Sequence, residues 1–163
     1  MLCFSYGSNM SLSRIRDRVP SARFVAVAIL QGHRLRFHKI STDGSGKCDV
    51  EATDDQEDQV YGVVLEIEAS EKPALDRKEG LGRGYEEKEV DVFTLDGKLM
   101  RPTMYFATNI DESRKPYHWY KTHVLVGARE NHLPEEYIES IERVESVVDP
   151  DAARCEHELA IYR

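Results

Sequence analysis

The sequence lacks the features that mark secreted, membrane-bound or disulfide-stabilised proteins. Its three cysteines, Cys3, Cys48 and Cys155, are odd in number and widely spaced, which is typical of reduced thiols rather than of a disulfide framework or a zinc site. No apolar run approaches the length of a membrane span, and the N-terminus lacks the basic and long apolar regions of a signal peptide. We therefore expect a cytoplasmic protein with no membrane partner.

Positive charge is also scarce, with 22 Lys and Arg against 30 Asp and Glu and a formal net charge of −8. Such a chain repels the phosphate backbone, so we expect no nucleic-acid partner. The 163 residues, 40% of them hydrophobic, suffice for one domain with a real core, and we predict a single domain over residues 1–163. An enzyme that acts on a small molecule fits these limits.

The N-terminal stretch Phe4-Ser5-Tyr6-Gly7-Ser8-Asn9-Met10 links a predicted strand over residues 1–4 to a predicted amphipathic helix over residues 11–19. Its Gly, Ser and Asn tolerate unusual backbone angles, and a strand that turns into a helix leaves backbone N–H groups unpaired. Such a loop can bind an anion or an oxyanion. On local physics alone, an ordinary capped strand–helix turn is the simpler interpretation.

The rest of the first half reads mainly as strands. We predict strands over residues 24–30, 35–38 and 59–67, the last of them central, with a flexible loop over residues 40–47 and an acidic turn over residues 54–58. Ser70 is predicted to cap a short helix that ends at Glu79-Gly80.

The second half predicts a hairpin followed by helices. Strands over residues 86–94 and 99–107 are joined through Asp96-Gly97, one helix starts near Pro116, another starts at Pro134, and Gly127 and Asn131 mark breaks. Residues 149–163 receive no assignment. About six strands and four helices indicate an α+β fold whose sheet curls into a small mixed β-barrel with flanking helices.

Two motifs carry a resemblance to a known family. Tyr6-Gly7-Ser8-Asn9-Met10, followed later by Leu75-Asp76-Arg77-Lys78-Glu79-Gly80, resembles the gamma-glutamylcyclotransferase family. Further matching segments follow in the family's order: Pro20-Ser21-Ala22, Gly62-Val63-Val64, Thr108-Asn109, Gly127-Ala128-Arg129-Glu130-Asn131 and Leu133-Pro134-Glu135-Glu136-Tyr137. Their order and spacing together carry the resemblance.

The resemblance implies a mixed β-barrel with flanking helices, no metal and no organic cofactor. It implies a small γ-glutamyl substrate whose α-amine attacks its own side-chain amide carbonyl, giving 5-oxoproline and a free amino acid or other amine. Glu79 corresponds to the general acid/base. The implied substrate-binding residues are Cys3, Phe4, Ser5, Tyr6, Gly7, Ser8, Asn9, Tyr85 and Tyr120.

The chemistry is consistent with these residues. The substrate brings its own nucleophile, so the protein needs only a base for the ammonium proton and an acid for the leaving amine, and one carboxylate can serve both steps in turn. The backbone N–H groups of Gly7, Ser8 and Asn9 are the best donors for the oxyanion of the tetrahedral intermediate. One such donor is typically worth about 2.7–4 kcal/mol.

Several alternatives stay open at this stage. The same fold could release γ-glutamyl groups from amines or from other conjugates, or it could be a non-catalytic small-molecule-binding module. Arg83 could meet a substrate carboxylate, and the sequence does not decide whether the chain forms a homodimer. The pairs His118 with His123 and His33 with His38 are poorly spaced for metal ligands, so we expect no metal site.

Overall fold

The computed structural model describes residues 1–163 as nine strands and five α-helices. The strands are β1 (Leu2–Ser5), β2 (Arg23–Gln31), β3 (His33–Ile40), β4 (Gly46–Ala52), β5 (Gln59–Glu66), β6 (Tyr85–Glu89), β7 (Val92–Thr94), β8 (Leu99–Met100) and β9 (Thr103–Ala107). The helices are α1 (Leu12–Arg18), α2 (Lys72–Glu79), α3 (His118–Glu130), α4 (Glu135–Glu142) and α5 (Ala152–Leu159). None of them combines the length and the apolar composition that a membrane-spanning helix requires.

Seven strands form one sheet in the order β6-β9-β1-β5-β2-β7-β8, and β3 pairs with β4 in a separate two-stranded sheet. β5 lies in the middle of the larger sheet, as predicted, and is antiparallel to both of its neighbours, β1 and β2. It is rich in Val and Leu, and Val63 and Val64 are completely buried. The central position of β5 therefore follows from its apolar sequence.

The two ends of this sheet are formed by one hairpin. β6 and β9 pair at one end and β7 and β8 at the other, although only Val90-Asp91 and Arg101-Pro102 separate them along the chain. The Val90 N–H donates to the Pro102 carbonyl at 3.1 Å, which links the two short segments that lead from one end of the sheet to the other. The sheet must therefore curl, and the predicted α+β fold with a curled, barrel-like sheet is confirmed.

Strand β4 was not predicted, and it begins at Gly46 within the predicted loop over residues 40–47, of which only residues 41–45 lie outside the strands. Its composition, Gly-Lys-Cys-Asp-Val-Glu-Ala, contains few strong strand formers, so its apolar signal is weak. Gly46 allows close packing and is not a sign of flexibility, since a Cβ atom there would lie 2.0 Å from the Phe37 carbonyl oxygen.

Two predictions about the helices were wrong, and one helix was not predicted. Ser70 caps no helix, since α2 begins two residues later with Glu71 at its N-cap and without a side-chain cap. Gly127 does not break a helix, because it lies inside α3 where that helix contacts the N-terminal loop. Residues 152–159 form α5, followed by a short 3₁₀ turn (Ala160–Tyr162), and α5 carries its own cap, the Asp151 carboxylate.

Candidate active site

Glu79 is the last residue of α2, and the end of this helix is well fixed. Gly80 adopts the left-handed conformation with φ of 76°, and the Asp76 carbonyl accepts the N–H groups of both Gly80 and Leu81 at 2.9 Å. The buried Leu75 anchors the helix to the core. The Asp76 carboxylate accepts from the Tyr105 hydroxyl on β9 at 2.5 Å and ties α2 to the sheet.

One oxygen of the Glu79 carboxylate is held by two side chains. Oε1 accepts from Asn9 Nδ2 at 2.8 Å and from Arg18 Nη1 at 2.9 Å, and Arg18 Nη1 also donates to Asn9 Oδ1 at 3.1 Å. The Arg18 and Glu79 side chains are only 17% and 16% exposed. Burial lowers the pKa of Arg18, while the charge of Glu79 counteracts this effect. Oε2 accepts no hydrogen bond from the chain and is free for a ligand.

Nine of the ten predicted site residues line one cavity of about 40 Å³. They are Phe4, Ser5, Tyr6, Gly7, Ser8, Asn9, Glu79, Tyr85 and Tyr120. The tenth, Cys3, is buried within β1 and does not line this cavity, and burial raises its thiol pKa to about 11. Arg83 is exposed and lies outside the cavity as well.

Tyrosine hydroxyls brace the walls of the cavity. Tyr6 donates to the Tyr105 carbonyl at 2.6 Å and Tyr85 donates to the Cys48 carbonyl at 2.5 Å, while the Tyr120 hydroxyl accepts from the Cys48 N–H at 3.0 Å. Burial raises the pKa of Tyr6, Tyr85 and Tyr120 well above the usual value for tyrosine. These groups are therefore neutral at physiological pH and fix the cavity shape.

The loop over residues 6–9 is held from two sides by close contacts. A Cβ atom on Gly7 would lie 2.9 Å from Cys48 Cβ, and one on Gly127 of α3 would lie 2.6 Å from both Met10 Cβ and the Ser11 nitrogen. Asn131 Nδ2 donates to the Met10 carbonyl at 3.0 Å and Glu130 Oε1 accepts from the Leu12 N–H at 2.6 Å. The segment 127–131 thus holds the end of the loop in place.

Sequence reasoning missed three residues at this site: Arg18, Cys48 and Tyr105. Arg18 is one of several basic residues on α1, and nothing in its spacing distinguishes it. Cys48 belongs to β4, which was not predicted. Tyr105 lies in a predicted strand, and only the pairing of β9 with its neighbours places it at the cavity.

The histidines are engaged in separate contacts. His38 bonds to Asp49 at 2.8 Å, His118 bonds to Ser146 at 2.7 Å, and the fully buried His123 contacts Arg14 and Tyr162. The structure contains no group of three or more His, Cys, Asp or Glu side chains arranged to hold a metal ion.

The chain is similar to known proteins in both sequence and structure. Residues 59–141 match the AIG2-like family. The chain is 40% identical to the gamma-glutamylcyclotransferases of Mus musculus and Homo sapiens, over 88% of this chain and 78% of each relative. A solved gamma-glutamyl cyclotransferase structure superposes with a TM-score of 0.88 at 33% identity, over 99% of this chain and 98% of that chain. The chain therefore belongs to the gamma-glutamylcyclotransferase family, as the sequence motifs predict.

Proposed function

We propose that this protein is a gamma-glutamylcyclotransferase that converts a γ-glutamyl amino acid into 5-oxoproline and a free amino acid, with Glu79 as the general acid/base. The observation that carries the proposal is the position of the Glu79 carboxylate. Asn9 and Arg18 hold one of its oxygens while the other accepts no hydrogen bond, and it lines the same cavity as the loop over residues 6–9.

In the proposed reaction the substrate's α-amine attacks its γ-carbonyl carbon. Glu79 takes a proton from the substrate ammonium group, and the amine then attacks to form the C–N bond of the five-membered ring. The ring nitrogen loses a second proton as the original amide C–N bond breaks. Both protons pass by way of Glu79 to the leaving amine, which departs as an ammonium group, so that the carboxylate is regenerated. Nothing is oxidised or reduced, and a base with this role is worth about a hundred- to ten-thousand-fold in rate.

The loop over residues 6–9 is proposed to stabilise the oxyanion. The 3₁₀ turn Ser8–Met10 starts here, and the first N–H groups of a helical turn have no acceptor within it. Donors fixed before the reaction stabilise a developing negative charge without a reorganisation cost. Holding the γ-glutamyl chain folded between this loop and the tyrosines brings the amine and the carbonyl together.

We extend the proposal to the setting of the enzyme. Its partner would be a small γ-glutamyl molecule, with no metal or organic cofactor, in the cytoplasm and within glutathione metabolism, and residues 1–163 would act as a single domain. The unpaired cysteines suit a reducing compartment, and the net charge of −8 opposes binding to polyanions. A homodimer is part of this proposal, and light scattering of the purified protein would test it.

Release of 5-oxoproline tests the function. The purified protein is incubated with γ-glutamyl amino acids and γ-glutamyl amines, and Glu79→Gln is tested in parallel. We expect release from γ-glutamyl amino acids and its loss in Glu79→Gln, with binding of the substrate retained in calorimetry. Release from amines alone would assign the chain to the γ-glutamylamine branch of the same chemistry. Binding without any release would show a non-catalytic module.

A further inference from the structure

A second recess of about 110 Å³ adjoins the cavity and shares four of its residues, Ser8, Glu79, Tyr85 and Tyr120. Five cationic side chains line this recess, which we call the vestibule: Arg14, Arg18, Lys39, Lys47 and Lys78. The cavity itself contains no cationic residue. The vestibule therefore concentrates positive charge beside Glu79 in a chain whose net charge is −8.

Three of the five cations are already neutralised by the protein. Arg14 pairs with Glu158 at 2.5 Å, Arg18 with Glu79 at 2.9 Å and Lys47 with Asp43 at 2.8 Å. These three are therefore committed to structural contacts or to the carboxylate of Glu79.

The other two, Lys39 and Lys78, have no carboxylate partner. The lysines that form ion pairs are Lys47, Lys72 and Lys115. The Lys39 ammonium lies 4.7 Å from the centroid of the Tyr85 ring, and the residue is partly buried, which lowers its pKa. Lys78 is exposed, precedes Glu79 on α2 and also borders the wider recess beyond the vestibule. Two positive charges at the mouth of the site are thus available to a ligand.

The position of Glu79 indicates which part of the substrate reaches these lysines. As the proposed acid, Glu79 must contact the nitrogen of the leaving amine, so the leaving group occupies space that borders Glu79 and adjoins the cavity proposed to hold the γ-glutamyl half. The vestibule meets this condition. An amino-acid leaving group carries a carboxylate at that point, whereas a simple amine does not.

We propose that Lys39 and Lys78 bind the carboxylate of the leaving amino acid and so select γ-glutamyl amino acids over γ-glutamyl amines. This inference rests on the proposed function and assigns the specificity-determining residues of the same site. It requires no new chemical step, because the two ammonium groups attract the leaving group before and after the amide bond breaks.

A matched pair of substrates tests the inference. γ-Glutamyl-alanine and γ-glutamyl-ethylamine differ only in the carboxylate of the leaving group. We expect the wild-type protein to release 5-oxoproline from the alanine conjugate with a kcat/KM roughly tenfold or more above that for the ethylamine conjugate. Since a partly exposed ion pair contributes up to about 1 kcal/mol, Lys39→Gln and Lys78→Gln should each lower kcat/KM for the alanine conjugate about fivefold. The ethylamine conjugate should be unaffected.

Lys98→Gln is the control, because Lys98 is exposed in the β7–β8 turn and lines neither the cavity nor the vestibule. It should change neither substrate, and added salt should reduce the preference of the wild type. Equal turnover of both substrates by the wild type would overturn the inference and leave the proposed function standing. An equal loss with both substrates in the lysine variants would also overturn it, since the lysines would then act on the γ-glutamyl half. Absence of 5-oxoproline from both substrates would overturn the proposed function and the inference together.

Discussion

Two carboxylates of this protein are held in the same way and by the same helix. Arg18 and Arg14, one turn apart on α1, pair with Glu79 and Glu158 at 2.9 and 2.5 Å. The two carboxylate side chains are 16% and 24% exposed. By distance, partner and burial alone, the two pairs are hard to distinguish.

Their surroundings differ. Glu79 borders a cavity lined by a glycine-containing loop and neutral tyrosines, whereas Glu158 belongs to α5 and also contacts the buried His123 at 3.1 Å. Burial alone would raise the pKa of Glu158, but the His123 hydrogen bond and the charge of Arg14 outweigh it and lower this pKa to about 2. One pair therefore borders the cavity of the proposed active site, and the other fixes the C-terminal segment to α1 and α3. The setting of a carboxylate decides its role.

The largest expected effect is a difference in kcat between the two carboxylates. Glu79→Gln should lower kcat about a hundred- to ten-thousand-fold, because the proton-transfer group is lost. It should also lower the free energy of unfolding by an amount similar to that in Glu158→Gln, because its ion pair with Arg18 is lost as well. Glu158→Gln should leave kcat within about threefold and lower the free energy of unfolding by roughly 1.5–3 kcal/mol, as expected for hydrogen bonds to a charged group. Urea denaturation and 5-oxoproline release measure both variants. A comparable loss of kcat in Glu158→Gln would contradict the division of roles.

Substitution of the two arginines should also distinguish the two pairs, with a smaller effect on kcat than substitution of Glu79. Arg18→Gln removes the cation that orients Glu79, and we expect kcat to fall about ten- to a hundredfold, the equivalent of about 1.5–3 kcal/mol for a charged hydrogen bond, with KM changed less. Arg18→Lys should recover part of kcat, because it restores the charge without the planar guanidinium. Arg14→Gln should mainly lower stability. If Arg18→Gln reduced stability but not kcat, Arg18 would have no positioning role.

The family resemblance predicts that Glu79 and loop residues 6–9 share one cavity, and the structure places them together; the surroundings of Glu158 could not be predicted. Loop residues 6–9 and Glu79 lie beside clear strand and helix signals, so their elements could be placed from the sequence. Arg18 was missed because the partner of an arginine on an amphipathic helix depends on which elements pack beside it. The role of Glu158 depends on α5, a helix of only eight residues that follows the cap Asp151 and has no fully buried side chain.

The same reasoning explains the errors in the fold. The consecutive apolar residues of β5 predict a strand from the sequence alone. Strand β4 lacks such a signal and is stabilised by its pairing with β3. Gly127 reads locally as a helix breaker, but its small size is what allows α3 to approach Met10 and Ser11. Close approach between distant segments leaves no local signal.

The smallest expected effect concerns acid stability and separates Glu158 from its neighbours. Because the folded pKa of Glu158 is about 2, below its ordinary value of 4.5, its contribution to stability is complete above pH 4.5 and is lost as the pH falls towards 2. Burial lowers the pKa of His123 below 6.5. As the pH falls below 6.5, this histidine is protonated in the unfolded state before it is protonated in the folded state, so stability starts to fall.

Urea denaturation between pH 7 and pH 3 would resolve these two contributions. Between pH 4.5 and pH 3 the wild type should lose more stability than Glu158→Gln, by up to about 1.4 kcal/mol for each pH unit, because only the wild type has the Glu158 carboxylate to protonate. Asp149, whose pKa the Arg154 guanidinium holds well below its usual range, contributes equally in both proteins and cancels in the difference. Glu156→Gln on the same helix is the control, because the Glu156 side chain is 74% exposed, and its curve should follow that of the wild type. Parallel curves for Glu158→Gln and the wild type would show that the Arg14–Glu158 contact does not stabilise the folded state. The Arg14–Glu158 pair would then contribute no more than a surface ion pair does.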